Sequence, residues 1–290
     1  MANKKSTKPG VVCIIGPGMI GGSVGLGLRK KRLAGQVIGV GHRRASLTRA
    51  LKMGAIDTAT LDLEEGVREA DIVIICTSVE LIPEMAAKAI PAMKRGAVLT
   101  DVGSAKRGIV EFVERARRND IVFVGGHPIA GSERRGIDAA KADMFVGSVC
   151  ILTPVNRRRS EKALRSVKAM WQGLGAKVHL LSPAEHDRTL ASTSHLPLLL
   201  ASSLVNTVGA RKLPYAGPGL RDMTRIASSD AGLWRDILLQ NRREVIQALK
   251  SFKKELDALE SAIDGKKAAA LYSRLKRAKR LRDSVTRDRK

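Results

Sequence analysis

The 290 residues, 44% of them apolar, are enough to bury the core of one large domain or two ordinary ones, which excludes a disordered polymer. A net charge of +24 invites a polyanionic partner, yet only 3% of the residues are aromatic, and no stacking platform, zinc-finger spacing or basic recognition helix is visible. Nucleic-acid binding is therefore the less favoured reading. Cys13, Cys76 and Cys150 each sit in an apolar run without C-x-x-C spacing, so we expect small core residues in a reducing compartment, with neither a disulfide framework nor a metal site.

The chain starts with MANKKSTKPG, and residues 1–10 are expected to be a disordered basic segment. The apolar run that follows breaks at Gly16, so neither a signal peptide nor a membrane span fits and a cytoplasmic protein is expected. From residue 11 to 182, short β-branched runs (VVCII, QVIGV, DIVIIC, AVLTDV, IVFV, SVCIL, KVHLL) alternate with helix-like segments. That alternation predicts an α/β, Rossmann-type, doubly wound domain with a parallel sheet. After Ser182-Pro183 the strand signals stop, and residues 183–290 read as amphipathic helices punctuated by Pro214, Gly217, Pro218 and Gly219. The last stretch, 265–290, carries eleven Lys or Arg against two Asp, with Leu271, Leu275 and Leu281 suited to one face of a basic terminal helix. No separate effector domain is expected beyond the helical one.

Between the first strand and the first helix, GPGMIGGS places Gly16, Gly18 and Gly21 in G-x-G-x-x-G spacing, with Met19 and Ile20 inside the motif. The first glycine suits a tight turn, the second a close approach to pyrophosphate and the third close helix–strand packing. Dinucleotide binding is the expected function of this segment. At the end of the second strand, where NAD enzymes place a carboxylate for the ribose, the chain reads His42-Arg43-Arg44. Two guanidiniums suit a 2′-phosphate, so NADP is expected rather than NAD. Thr77 and Ser78 complete the expected cofactor set.

The segment VGGHPIAGSE holds His127 behind two glycines and in front of a proline. We expect the strand to end at Gly125-Gly126 and Pro128 to hold His127 stiffly in extended geometry. Taken alone, this histidine reads equally as a loop residue capping a neighbouring backbone group. Ser104, after the strand AVLTDV, falls at the carboxyl edge of the sheet where such folds bind ligands, although a helix N-cap is an equally good use for it.

Across most of the chain, GPGMIGGS, DVGSAK, GGHPIAGSE, EHD, SHLP and GLRDMTRIASSDAGLWRDILLQN together resemble the prephenate/arogenate dehydrogenase family of tyrosine biosynthesis. The resemblance implies an all-α dimerisation domain after the dinucleotide-binding one and hence a homodimer. It also implies oxidative decarboxylation, without a metal: hydride leaves C4 of a cyclohexadienol for NADP, carbon dioxide leaves C1, and the ring becomes aromatic. By the same resemblance His127 polarises the C4 hydroxyl and Ser104 orients it. Glu133 resembles a gating acid, His195 a substrate-binding histidine and Arg225 an arginine that binds a substrate carboxylate. Leu198 stands where members commonly carry a second histidine, and Trp234 reads as core packing. Prephenate and arogenate differ by a keto group against an ammonium. Asp187 of EHD is a candidate partner for that ammonium, and with Leu198 and the basic cofactor loop it leans the reading to arogenate, against a positive field that favours prephenate. Two alternatives stay open: another NAD(P)-dependent dehydrogenase of this two-domain group acting on a β-hydroxy acid or imine, and a non-enzymatic nucleotide- or nucleic-acid-binding protein.

Overall fold

A computed structural model describes residues 9–131, 134–155 and 157–287, so the expected disordered start lies almost wholly outside the described residues. The first compact unit runs to Arg242. Its frame is an eight-stranded sheet in the order β3-β2-β1-β4-β5-β6-β7-β8. The strands are β1 (Val11–Ile15), β2 (Gln36–Val40), β3 (Thr58–Thr60), β4 (Ile72–Ile75), β5 (Val98–Asp101), β6 (Val122–Ile129), β7 (Val149–Thr153) and β8 (Lys177–Leu180). All neighbours pair parallel except β6 and β7.

Helices α1 (Met19–Lys30), α2 (Arg44–Lys52), α3 (Leu63–Val67), α4 (Ile82–Ala92), α5 (Arg107–Ala116) and α6 (Arg157–Leu174) connect these strands. Alternate strand residues face opposite layers: Val12, Ile14, Ile72 and Ile74 join one buried cluster with Phe145 and Trp171. Cys13, Ile15, Val73 and Ile75 join the other. Burial on both faces is why the central strands read as uninterrupted apolar runs. The strand order reverses between β1 and β4, and the crevice beyond their carboxyl ends is where open sheets of this kind take ligands.

One expectation is corrected. The strand does not end at Gly125-Gly126: β6 continues through His127 and Pro128 to Ile129, with His127 opposite Ile151 of β7. A Cβ on Gly125 would lie 2.4 Å from Thr153 Oγ1, and one on Gly126 would lie 2.7 Å from the Asp101 carbonyl oxygen. The glycines therefore admit close neighbours to a continuing strand instead of turning the chain.

Four helices follow within the same unit: α7 (Pro183–Leu190), α8 (Leu196–Val208), α9 (Pro218–Thr224) and α10 (Ala231–Gln240). A capping box starts α7, in which Ser182 Oγ accepts from the Glu185 amide at 3.2 Å and Glu185 Oε2 accepts from the Ser182 amide at 2.9 Å. Between α7 and α8, Ala191–His195 forms one π-helical turn, an element often found at functional sites. The second unit, from Arg243, holds most of α11 (Arg242–Asp264) and α12 (Ala268–Arg287). These two helices are joined by an ion pair of Arg274 with Glu255 at 2.7 Å, and Leu275 and Leu281 of the basic helix are exposed. Among the described residues no helix is long and apolar enough to cross a membrane.

Candidate active site

The glycine turn after β1 has the shape a dinucleotide needs. Gly16 takes φ +86°, and a Cβ there would lie 3.1 Å from the Cys76 carbonyl oxygen at the end of β4. At Gly21 a Cβ would meet Gly16 O at 2.5 Å, so the third glycine is what lets α1 pack on the turn. Among the described residues no atom lies within 4 Å of a would-be Cβ on Gly18, and Gly18, the N-cap of α1, has no side-chain cap. The result is an open cradle facing a helix N-terminus, with Met19 and Ile20 in its first turn. Beside it, Thr77 Oγ1 is buried without a hydrogen-bond partner among the described residues, an orphan that a bound ligand would satisfy. Ser78 instead donates its hydroxyl to Glu80 at 2.7 Å. The residues therefore fit a dinucleotide. At the end of β2, His42, Arg43 and Arg44 are exposed, and among the described residues none has an ion-pair partner. The first turn of α2 carries no acidic residue.

A buried polar network is built around His127, which lies within β6 past the carboxyl end of β5. His127 Nδ1 is 2.8 Å from His186 Nε2, and His186 Nδ1 is 2.7 Å from Asp187 Oδ1. The Asp187 carboxylate also accepts the Lys106 amide at 2.8 Å and the Arg107 amide at 2.9 Å, capping α5 from another helix. Those donors and His186 hold its carboxyl below the usual range even though burial opposes this. Burial above all pushes both His127 and His186 below the ordinary histidine value, so both rings are neutral at pH 7.

Neutrality fixes the protons. Because the Asp187 carboxylate can only accept, His186 carries its hydrogen on Nδ1 and presents a lone pair at Nε2. His127 must then donate from Nδ1, which leaves its Nε2 as a bare acceptor. A histidine in that state takes a proton from a hydroxyl.

A buried ion pair braces this histidine from behind. Lys106 Nζ lies 2.5 Å from Asp101 Oδ2, both side chains are inaccessible to solvent, and Asp101 Oδ1 accepts the amide of Gly126 at 3.0 Å. The pair thus ties the end of β5, the start of α5 and the residue before His127 together. His195, at the end of the π-turn, is buried near the same network, and Asn241 reaches its Nδ1 at 3.2 Å. Burial pushes the His195 imidazole down to about 4. Among the described residues no cluster of His, Cys, Asp and Glu has the arrangement of a metal site.

Residues 24–180 match the family described as prephenate dehydrogenase, nucleotide-binding domain, and residues 182–277 match its prephenate dehydrogenase, dimerization domain counterpart. The chain belongs to the prephenate dehydrogenase family. Prephenate dehydrogenase of Bacillus subtilis (strain 168) is 34% identical over 284 residues, covering 94% of this chain and 76% of that protein. The crystal structure of A. aeolicus prephenate dehydrogenase in complex with hydroxyphenyl propionate and NAD+ superposes with a TM-score of 0.88 at 33% identity, covering 97% of this chain and all of that one (100%). Synechocystis arogenate dehydrogenase superposes at 0.84 with 29% identity, covering 95% and 99% of the two chains.

Against that family background, the network gathers some expected residues and reassigns others. His127 and His195 are buried around it, and Asp187 is its anchor. The expectation that Asp187 meets a substrate ammonium is corrected, because its oxygens are already committed to two amides and His186. Ser104 lies half-buried in the loop between β5 and α5, and that helix is capped by Asp187 instead of Ser104. Arg225 is exposed at the start of a 3₁₀ turn and has no ion-pair partner among the described residues, unlike an arginine serving a surface salt bridge. Glu133 lies outside the described residues. Leu198 is buried in the core, and the Trp234 ring packs nearly perpendicular to His195 with centroids 5.9 Å apart.

His186, Asp101, Lys106 and Asn241 escaped the sequence reading. In EHD only the acid draws notice, since adjacent helical residues do not ordinarily face one another. A lysine in a chain of this charge carries no signal by itself.

Proposed function

We propose that this protein catalyses the oxidative decarboxylation of prephenate or arogenate, giving 4-hydroxyphenylpyruvate or tyrosine, with NADP as the hydride acceptor. The observation that carries the reading is the relay from Asp187 through His186 to His127, which leaves His127 Nε2 unprotonated in a buried site past the carboxyl end of β5. Such a base accepts the C4 hydroxyl proton as hydride leaves C4 and the C1 carboxylate departs as carbon dioxide, and returns that proton to the phenolate oxygen of the aromatic product. Aromatisation of the ring drives the step. The bound nicotinamide supplies the hydride acceptor, and Gly16, Gly18, Met19, Ile20, Gly21 and Thr77 would hold the dinucleotide.

The positive charge that grows on His127 is stabilised through His186 by the Asp187 carboxylate, whose own charge rests on two helix amides. His195 and the exposed Arg225 supply donors for the substrate carboxylates, and Ser104 an orienting hydroxyl. Of the two substrates we favour prephenate, because the carboxylate that would have met arogenate's ammonium is committed inside the protein and the net charge of +24 attracts the more anionic molecule. His42, Arg43 and Arg44 support NADP over NAD. The family's dimerization domain at 182–277 supports a homodimer.

The test is initial-rate reduction of NADP and of NAD with prephenate and with arogenate. Turnover is expected with prephenate and NADP, and a purified enzyme that turns over neither substrate with either cofactor overturns the reading.

A further inference from the structure

We infer that Asn241 is a positioning residue that dictates which nitrogen of His195 carries the proton, and so makes His195 a hydrogen-bond donor towards the substrate. The inference rests on the substrate-binding role proposed for His195.

Asn241 closes α10 as its C-cap and is buried. Its Nδ2 lies 2.8 Å from the backbone carbonyl oxygen of Asp187. A carbonyl only accepts, so the amide must present its NH₂ there and not its oxygen. The same nitrogen lies 3.2 Å from His195 Nδ1. One hydrogen goes to the carbonyl and the other to the ring, so His195 Nδ1 must offer a lone pair. The ring proton is thereby placed on Nε2, which has no hydrogen-bond partner among the described residues. Trp234 packs against the ring at an interplanar angle of 82°. Burial keeps the imidazole neutral, with the nearby Asp187 favouring and His186 opposing its charge.

The consequence is a pair of histidines of opposite polarity. His127 donates inward from Nδ1 and accepts at Nε2, whereas His195 accepts inward at Nδ1 and donates at Nε2. A substrate offering a hydroxyl to one and an oxygen anion to the other is matched at both points. A molecule with those groups exchanged is mismatched twice.

Two measurements test this. In the full-length protein labelled with ¹⁵N-histidine, five histidines contribute signals, and the His195→Gln variant identifies those of His195. At pH 7 we expect a protonated Nε2 and a bare Nδ1; a protonated Nδ1 overturns the inference. In steady-state kinetics, Asn241→Asp places an acceptor against Nδ1 and turns the Nε2 lone pair towards the substrate anion. KM for prephenate at pH 8 should rise roughly 10- to 100-fold with kcat within about threefold, and should recover as pH falls and the doubly protonated ring donates from both nitrogens. A pH-independent loss of kcat, or an unchanged KM, overturns the inference. If Asn241→Asp does not fold, the tautomer measured in the unmodified protein still decides it. An unchanged KM in His195→Leu, which can neither donate nor accept, sinks the substrate role of His195 and the donor assignment with it, whereas an Nδ1–H tautomer sinks the Asn241 inference alone.

Discussion

Replacing His186 with leucine removes the acceptor that holds the proton on His127 Nδ1 while leaving a side chain that still fills the site. The lost contact is a buried 2.8 Å hydrogen bond whose donor becomes a cation as the reaction proceeds. Hydrogen bonds to charged groups contribute about 1.5–3 kcal/mol, and about 1.4 kcal/mol is a factor of ten in rate, so kcat should fall roughly 10- to 100-fold. The fold should survive, because Asp187 keeps both amides of α5. His186→Gln provides the internal control, since its amide oxygen accepts from His127 and its NH₂ donates to Asp187. We expect the glutamine variant to recover most of the loss. Saturating kinetics in both substrates, with cofactor affinity measured separately, makes the comparison clean. A leucine variant within about threefold of the unmodified enzyme, or a glutamine variant no better than leucine, would refute the relay as the source of the His127 tautomer.

Three further outcomes follow from the same structure. Lys106→Met strands the inaccessible Asp101 carboxylate and should cost about 3–5 kcal/mol, seen as a drop of about 10 °C in Tm; a melting curve superimposable on that of the unmodified protein would deny the buried pair this weight. Stability should be intact above pH 6.5 and fall below it, because the unfolded chain takes up protons that His127, His186 and His195 resist in the fold. For His195, held at about 4 against an ordinary 6.5, the loss reaches about 3 kcal/mol near pH 4, and urea midpoints that stay flat from pH 8 to 5 would contradict it. Arg43→Ala/Arg44→Ala should erase a preference for NADP of about tenfold or more in kcat/KM, a preference that should also shrink with added salt; an unmodified enzyme that uses NAD equally well would return both arginines to solvated charge.

Local pattern alone determined a good deal of this protein. The strands β1 and β4 were legible because burial on both faces makes each a continuous apolar run, and the glycines of the first turn because Gly readily takes φ +86° at Gly16 and leaves room for the contact at Gly21. His127 was legible as a candidate, but not its place: Gly125-Gly126 signals a turn in sequence, and only the closeness of Thr153 and the Asp101 carbonyl shows why a strand needs glycine there.

The reactive state of the site was decided by tertiary structure. Asp187 is 60 residues beyond His127, and whether its carboxylate meets a substrate ammonium or caps a helix depends on where α7 lands against α5. The partner of Lys106 five residues back, the bond from His186 to His127 and the reach of Asn241 to His195 are all buried contacts between elements. A residue's type states what it can donate or accept; the proton it actually holds is set by the neighbour facing it in a dry interior, where an unmatched donor or acceptor is costly.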